Sequence, residues 1–216
     1  MMLYLADVID VTLAPVIGRI CNRIESECPQ VSELTPSYTS ILVETSAMSD
    51  ELDILKTRLL KIAKVELQRS TTQQRGKLIE LPVYYHQDIG PDLQLVAEHA
   101  NLSVEQVIAI HSGREYTVCA IGFAPGFAFL AEVDERIAIP RHQRPRAKVM
   151  AGSVGIADRQ TAVYPNESPG GWNLLGICPE PLYNPGKNPM CPFKIGDKVR
   201  FVPIDRATYI ERGGRV

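Results

Sequence analysis

Two segments rich in glycine and proline contain the side chains best suited to hold a small molecule. The first is GFAPGFAFL at residues 122–130, and the second is AGSVGIADRQTAVYPNESPGGW at residues 151–172. Glycine permits tight turns and close backbone approach, and proline stiffens the same loops. The second segment adds side chains that could hydrogen-bond an amide substrate: Ser153, Gln160, Thr161 and Tyr164. These groups could instead satisfy one another and shape turns, which is the favoured interpretation for Ser153.

Aromatic residues in both segments are candidates for the wall of a pocket. Phe123, Phe127 and Phe129 alternate with small residues, so at strand spacing they share one face, as core residues do. Because a proline and a glycine interrupt the run, Phe127 could instead lie on a turn and face a ligand. Trp172, the only tryptophan, is predicted to anchor its loop or to contribute to an interface.

The backbone amides of the glycine-rich turns complete this candidate site, because such N–H groups can face an anion. The predicted substrate-binding residues are Gly126, Phe127, Ser153, Tyr164, Gly170, Gly171 and Trp172.

Proton transfer needs a titratable group, and His111 is the candidate among the four histidines. It ends a predicted helix, where an imidazolium would suit the helix C-terminus. No carboxylate partner can be assigned to it, so a capping or fold-locking role stays open beside that of a general base. His86 and His142 are predicted to be exposed loop residues. The predicted catalytic residues are His111, Gln160 and Thr161.

Several classes of site are not indicated. The sequence contains no GxxxxGK[ST], no GxGxxG after a strand, no HExxH and no GxSxG, so nothing points to an independent nucleotide, dinucleotide, metal or acyl-transfer site. ATP, if used, must be held by other loops or by another polypeptide. The formal net charge of -2 gives no reason to expect nucleic acid. One basic cluster, at residues 141–148, is either a solvated loop or a rim that attracts an anionic substrate or an acidic partner surface.

Cysteine usage and the N-terminal residues indicate the cellular compartment. Five cysteines, an odd number without a close CxxC pair, predict reduced thiols rather than disulfides or a zinc site. The apolar start MMLYL reaches Asp7 and Asp10 at once, which argues against a signal peptide or a membrane span. We therefore expect a cytoplasmic protein with no metal site and no membrane partner.

The elements that must position these residues fall into two predicted α+β domains. Residues 1–80 have the order β-α-β-β-α-β, which predicts a small ferredoxin-like domain. Residues 81–216 begin with two short helices, at 92–100 and 103–111, and continue with short apolar runs between glycine and proline turns, as in a closed β-barrel.

Several segments together resemble the allophanate hydrolase subunit 1 family, also called the KipI family. They are the two glycine-rich segments, GPDLQLVAEH at residues 90–99, HSGREYTV at 111–118 and KIGDKVRFVP at 194–203. The resemblance runs over nearly all of the chain after residue 80 and implies a ferredoxin-like domain followed by a cyclophilin-like barrel. The chain departs from the family pattern at Asp158 and Ala162, where glycine is common, and at Phe129, where tyrosine is common.

The resemblance implies that this chain is one component of an ATP-dependent 5-oxoprolinase, which opens the lactam 5-oxoproline to glutamate with separate A and C subunits. On this interpretation the chain is inactive alone. Two alternatives stay open: a KipI-like, non-catalytic inhibitor of a sensor histidine kinase, and a urea- or allophanate-related amide-processing component. A proline isomerase would rest on fold analogy alone.

Overall fold

The N-terminal region forms a three-stranded antiparallel sheet packed against two helices. The computed structural model describes residues 1–69 and 76–215. The strands, in the order β1-β3-β2, and the helices are β1 (Met2–Tyr4), α1 (Ala14–Glu27), β2 (Val31–Pro36), β3 (Ser40–Thr45) and α2 (Leu52–Gln68). Apolar residues recur along one face of each helix, so both helices bury that face against Ile41 and Val43 of the central strand.

The remaining chain forms a nearly closed, barrel-like sheet of seven strands. The strands are β4 (Leu78–Val83), β5 (Glu115–Ile121), β6 (Ala128–Ala131), β8 (Ser153–Ala157), β9 (Gln160–Val163), β11 (Asn173–Ile177) and β12 (Lys198–Pro203). Their order in the sheet is β11-β8-β9-β6-β5-β12-β4. Tyr84 and Ile177 exchange two backbone hydrogen bonds, of 2.9 and 3.0 Å, and so join the two ends of the sheet.

Two further strands and three helices surround this sheet. They are α3 (Leu93–Ala100), α4 (Val104–Ser112), β7 (Arg146–Val149), β10 (Ser168–Gly170) and α5 (Arg206–Glu211). Strands β7 and β10 pair antiparallel as a separate ribbon. Helices α3 and α4 pack residues such as Val96 and Val107 into the main barrel core. None of the helices within the described ranges is long and apolar enough to cross a membrane.

The barrel prediction and the two short helices are confirmed, whereas the ferredoxin-like domain is not. The predicted order β-α-β-β-α-β is present, but β4 pairs in parallel with β12 over six residues. Leu81 and Val83 of β4 lie in the barrel core, so β4 belongs to the barrel and the described N-terminal sheet has three strands. The predicted domain boundary after residue 80 falls inside β4, and that division stays a prediction.

Candidate functional site

His111 lies inside the barrel in a fully satisfied polar network. It is in the last turn of α4 and has 0% of its surface exposed. Its Nδ1 lies 2.8 Å from the Tyr85 hydroxyl, and its Nε2 lies 2.9 Å from Oγ1 of Thr161. The Thr161 hydroxyl donates to the Gly155 carbonyl at 3.0 Å, so it accepts from Nε2–H. Nδ1 is then the acceptor for Tyr85, and the imidazole is neutral.

Burial keeps His111 in that neutral form, because desolvation lowers its pKa to about 3. Its ring also stacks on Phe201 at a centroid distance of 4.6 Å. The structure therefore brings the predicted residues His111 and Thr161 together, but inside the core, where both are 0% exposed. This geometry fits the fold-locking interpretation of His111. A direct role of either residue in proton transfer stays a prediction that their burial does not favour.

Gln160 precedes Thr161 on β9, and its side chain therefore lies on the opposite face of the strand. Its Nε2 donates to the hydroxyl of Tyr38, in the turn between β2 and β3. Tyr38 is itself packed with apolar residues of both regions, among them Ala14 and Cys119. Gln160 thus links the barrel to the N-terminal region, and the three predicted catalytic residues do not converge on one site.

The predicted aromatic residues do converge, on the outer side of the barrel sheet. We call this cluster the aromatic face; it consists of Phe123, Phe127, Phe129, Tyr164 and Trp172. Phe127 is buried at its centre, with ring centroids 5.4 Å from Tyr164 and 5.7 Å from Trp172, both nearly perpendicular. Phe123 is 69% exposed at its edge and adopts a φ of 72°. Phe127 is thus a core residue and Phe123 faces solvent, whereas a role of Phe127 in facing a ligand stays a prediction that its burial does not favour.

The predicted glycines allow close packing around the aromatic face. Gly126 has a φ of 83°, and a Cβ there would lie 2.8 Å from the Leu182 carbonyl oxygen, so no other residue fits easily. A Cβ on Gly170 would collide with the hydroxyl of Tyr164, so Gly170 lets β10 cover that ring. Ser153 is buried behind the face, where its carbonyl accepts from the Tyr164 N–H at 2.9 Å.

Asp158 occupies a turn that suits glycine better. It joins β8 to β9 and has a φ of 50°, a left-handed conformation that aspartate tolerates better than most residues. The departure from the family pattern at this position therefore keeps the backbone shape that a glycine would give.

A polar cluster that the sequence did not reveal adjoins the aromatic face. We call it the Asp92 clamp; it consists of Asp92, His142 and Arg146. Oδ1 of the buried Asp92 accepts from Nη2 of Arg146 at 2.6 Å and from Nε2 of His142 at 3.2 Å. Its Oδ2 accepts from the Leu174 N–H at 2.7 Å. Nη1 of Arg146 lies 3.4 Å from the Trp172 carbonyl oxygen, which places the clamp beside the aromatic face.

The clamp was missed because its members are far apart in the sequence. His142 and Arg146 lie 50 and 54 residues from Asp92. The prediction that His142 is an exposed loop residue is wrong, since only 27% of its side chain is exposed. The available signal was the basic cluster at residues 141–148, whose interpretation as a rim for an anionic group fits this position. Gly171 also lies here, and its carbonyl accepts from the His142 N–H at 2.7 Å.

Within residues 1–69 and 76–215, no three His, Cys, Asp or Glu side chains are grouped so that they could hold a metal ion.

Comparison with known proteins assigns most of the chain to a family. Residues 1–193 match the model of the carboxyltransferase domain, subdomain C and D. The chain belongs to this family.

The chain is similar to proteins named as the B subunit of 5-oxoprolinase. The Escherichia coli O157:H7 protein is 38% identical over 188 residues, which are 87% of this chain and 84% of that protein. The Bacillus subtilis protein is 49% identical over 133 residues, which are 62% of this chain and 55% of that protein. The chain thus aligns with about half of the Bacillus subtilis relative.

Solved structures confirm the architecture. The crystal structure of TTHA0988 matches with a TM-score of 0.78 and 33% identity, over 95% of this chain and 40% of that one. The urea carboxylase of Kluyveromyces lactis matches with a TM-score of 0.70 over 93% of this chain and 20% of its own. At 18% identity, this second likeness concerns the fold alone.

Proposed function

We propose that this chain is the B subunit of an ATP-dependent 5-oxoprolinase, a lactam hydrolase that opens 5-oxoproline to glutamate. The observation that carries the proposal is the similarity to the Escherichia coli relative over 87% of this chain. Because the relatives are named as 5-oxoprolinase subunits, the alternatives of a kinase inhibitor and a urea-related component are not favoured. The proposed location is the cytoplasm.

The reaction explains why several subunits and ATP would be needed. An unactivated lactam is a poor electrophile, and phosphorylation of its carbonyl oxygen by ATP would allow water to attack the ring carbon. Collapse of this adduct with cleavage of the ring C–N bond, the protonated nitrogen leaving as the amine, would give an acyl phosphate, whose hydrolysis would release glutamate and phosphate. The sequence carries none of the usual phosphate-binding motifs, so in this proposal the ATP phosphates are held by a partner protein or by loops of another kind.

The geometry supports a composite pocket of which this chain supplies one wall. The aromatic face offers an apolar surface for the lactam ring, and the amides of Gly170 and Gly171 lie at its border. Phe123 projects from this face with 69% of its surface exposed, beside other aromatic rings, and aromatic residues are enriched in protein interfaces. In this proposal the A and C subunits are the partners, and one of them covers the face and excludes water.

The core residues have a supporting role in this scheme. The His111 network joins α4 to β9, whose opposite face carries Ala162 and leads to Tyr164 of the aromatic face. A rigid β9 would hold the aromatic face in place during turnover.

Reconstitution tests the proposal. ADP and glutamate release that depends on 5-oxoproline is measured for this chain alone, for candidate A and C subunits without it, and for all three combined. Turnover is expected in the complete mixture only. An assembled complex, demonstrated by size-exclusion chromatography, that lacks this activity would contradict the proposal.

A further inference from the structure

The Asp92 clamp combines a fixed geometry with unused binding capacity. Asp92 is buried, and its two carboxylate oxygens accept three hydrogen bonds. It therefore fixes His142, in the loop before β7, and Arg146, the first residue of β7, against the barrel. Those two side chains stay reachable, because 30% of Arg146 and 27% of His142 are exposed to solvent.

Arg146 keeps most of its donors for another partner. A guanidinium has five N–H donors in a planar fork that matches a carboxylate. Asp92 takes up one of them at 2.6 Å, and the Trp172 carbonyl oxygen lies at a long 3.4 Å from another terminal nitrogen. The ion pair with Asp92 orients the fork without saturating it. An arginine held in this way loses little side-chain entropy when it binds an anion.

His142 can serve the same ligand. Its Nε2 donates to a carboxylate oxygen of Asp92, because a carboxylate in an ion pair with arginine can only accept. Nδ1 is the ring nitrogen that does not contact Asp92, so it is the one that can face a ligand.

The surroundings select the kind of anion. Arg141 and Arg144 are exposed on the same loop and make the local field positive. On the other side lie Trp172, whose carbonyl oxygen is 3.4 Å from Nη1 of Arg146, and Tyr164, whose hydroxyl packs against Gly170, the strand partner of Arg146. A cationic fork beside an aromatic wall suits a small molecule with one carboxylate on a compact apolar ring.

We propose that Arg146, with His142 as its neighbour on Asp92, binds the carboxylate of the lactam substrate. This inference rests on the proposed function and specifies how that site recognises its substrate. It assigns Arg146 and His142 to substrate binding, whereas Asp92 is a positioning residue that acts through them.

Kinetics of the reconstituted complex test the inference. Arg146→Gln is expected to raise the KM for 5-oxoproline by about 10- to 100-fold, the effect of losing a charge-assisted pair, with the KM for ATP unchanged. Arg146→Lys keeps the charge without the planar fork, so its KM for 5-oxoproline is expected to lie between those of the wild type and Arg146→Gln. The matched control is Arg212→Gln, which removes an exposed arginine that pairs with Glu180 outside the basic cluster at residues 141–148 and is expected to leave both KM values within about twofold of the wild type. Thermal unfolding of each variant checks that it is folded.

Two results would overturn the inference without touching the proposed function. One is an active complex in which Arg146→Gln leaves the KM for 5-oxoproline unchanged. If Arg146→Gln does not fold, Arg146→Lys is used instead, and a wild-type KM for 5-oxoproline in that variant would overturn the inference.

An inactive wild-type complex would contradict the proposed function, and the inference is then decided on this chain alone. Fluorescence of Trp172, the only tryptophan, is titrated with 5-oxoproline and with 2-pyrrolidinone, the same ring without the carboxylate. A saturable change with 5-oxoproline only, lost in Arg146→Gln, supports the inference. An equal response to both compounds, or none, overturns it.

Discussion

The molecule holds two histidine clusters, and they differ in how completely their hydrogen bonds are satisfied. In the barrel interior, both nitrogens of His111 are engaged by hydroxyl groups and no surface is exposed. In the Asp92 clamp, a buried carboxylate holds His142 and Arg146, yet both keep exposed surface and unused hydrogen-bonding groups. The first arrangement stabilises a fold, and the second can still bind a ligand.

For these two histidines, membership of a family motif and availability for binding are separate properties, which sequence reasoning treated as one. His111 lies in the HSGREYTV segment that carries the family resemblance, so the pattern drew attention to it. Its environment keeps it neutral, because protonation would leave a charge in an apolar core. His142 lies in a loop without a distinctive pattern, but a carboxylate 50 residues away fixes its position.

The largest expected effect on stability comes from the centre of the clamp. Asp92→Ala removes the acceptor of three hydrogen bonds and leaves the Leu174 N–H without its partner. The free energy of unfolding is expected to fall by about 3 kcal/mol in urea denaturation. Asp88→Ala, an exposed carboxylate nearby, is the control and is expected to change it by less than about 0.5 kcal/mol. Equal effects of the two variants would mean that the clamp is not a buried anchor.

The next largest effect is the pH dependence that the His111 network creates. The unfolded histidine gains a proton near its ordinary pKa of 6.5, whereas the folded one does so only near 3. The stabilising effect of the neutral state is therefore complete above pH 6.5 and is lost as pH falls toward 3, by up to about 1.4 kcal/mol per pH unit.

Urea denaturation at about pH 6.5 and about pH 4.5 measures this contribution. Between the two pH values, the free energy of unfolding of His111→Gln is expected to fall by about 2 to 3 kcal/mol less than that of the wild type. His99→Gln, at an exposed position, is expected to keep the wild-type difference. The same pH slope in His111→Gln and wild type would show that His111 is not a buried neutral group.

A smaller effect distinguishes a linking role of Gln160 from a catalytic one. Gln160→Ala and Tyr38→Phe each remove the same hydrogen bond between the barrel and the N-terminal region. Each is expected to lower the free energy of unfolding by about 1 kcal/mol, and the double variant by no more than the sum. The kcat of the reconstituted complex is expected to be alike in both. A loss of kcat confined to Gln160→Ala would place Gln160 in the catalytic machinery instead.

The smallest effect on stability is expected at the edge of the aromatic face. Phe123→Gly relieves a left-handed backbone conformation and is expected to stabilise the isolated chain by about 0.5 to 1 kcal/mol or leave it unchanged. Its binding to the partner subunits is expected to weaken, because the exposed ring is lost. Isothermal titration calorimetry checks the second part, with the exposed Tyr4→Ala as control. Unchanged binding would remove Phe123 from the interface.

Features that depend on the sequence pattern could be predicted from the sequence. The apolar periodicity of α1 and α2, the two short helices before the barrel and the convergence of Phe127, Tyr164 and Trp172 were all predictable. The pairing partner of β4 was not, because an apolar strand carries no signal for which sheet it joins. The clamp was not predictable either, since its bonds connect Asp92 to a loop 50 residues away. The burial of His111 depends on several surrounding elements and could not be inferred from its neighbours in the chain.

The most direct test places the two histidine clusters side by side. Initial rates of the reconstituted complex are measured against 5-oxoproline concentration for Arg146→Gln and His111→Gln, at saturating ATP and near neutral pH, after both variants are shown to be folded. We predict that Arg146→Gln raises the KM for 5-oxoproline about tenfold or more, while His111→Gln keeps it within about twofold. A wild-type KM in Arg146→Gln together with a lost kcat in His111→Gln would contradict this and move the chemistry into the barrel interior.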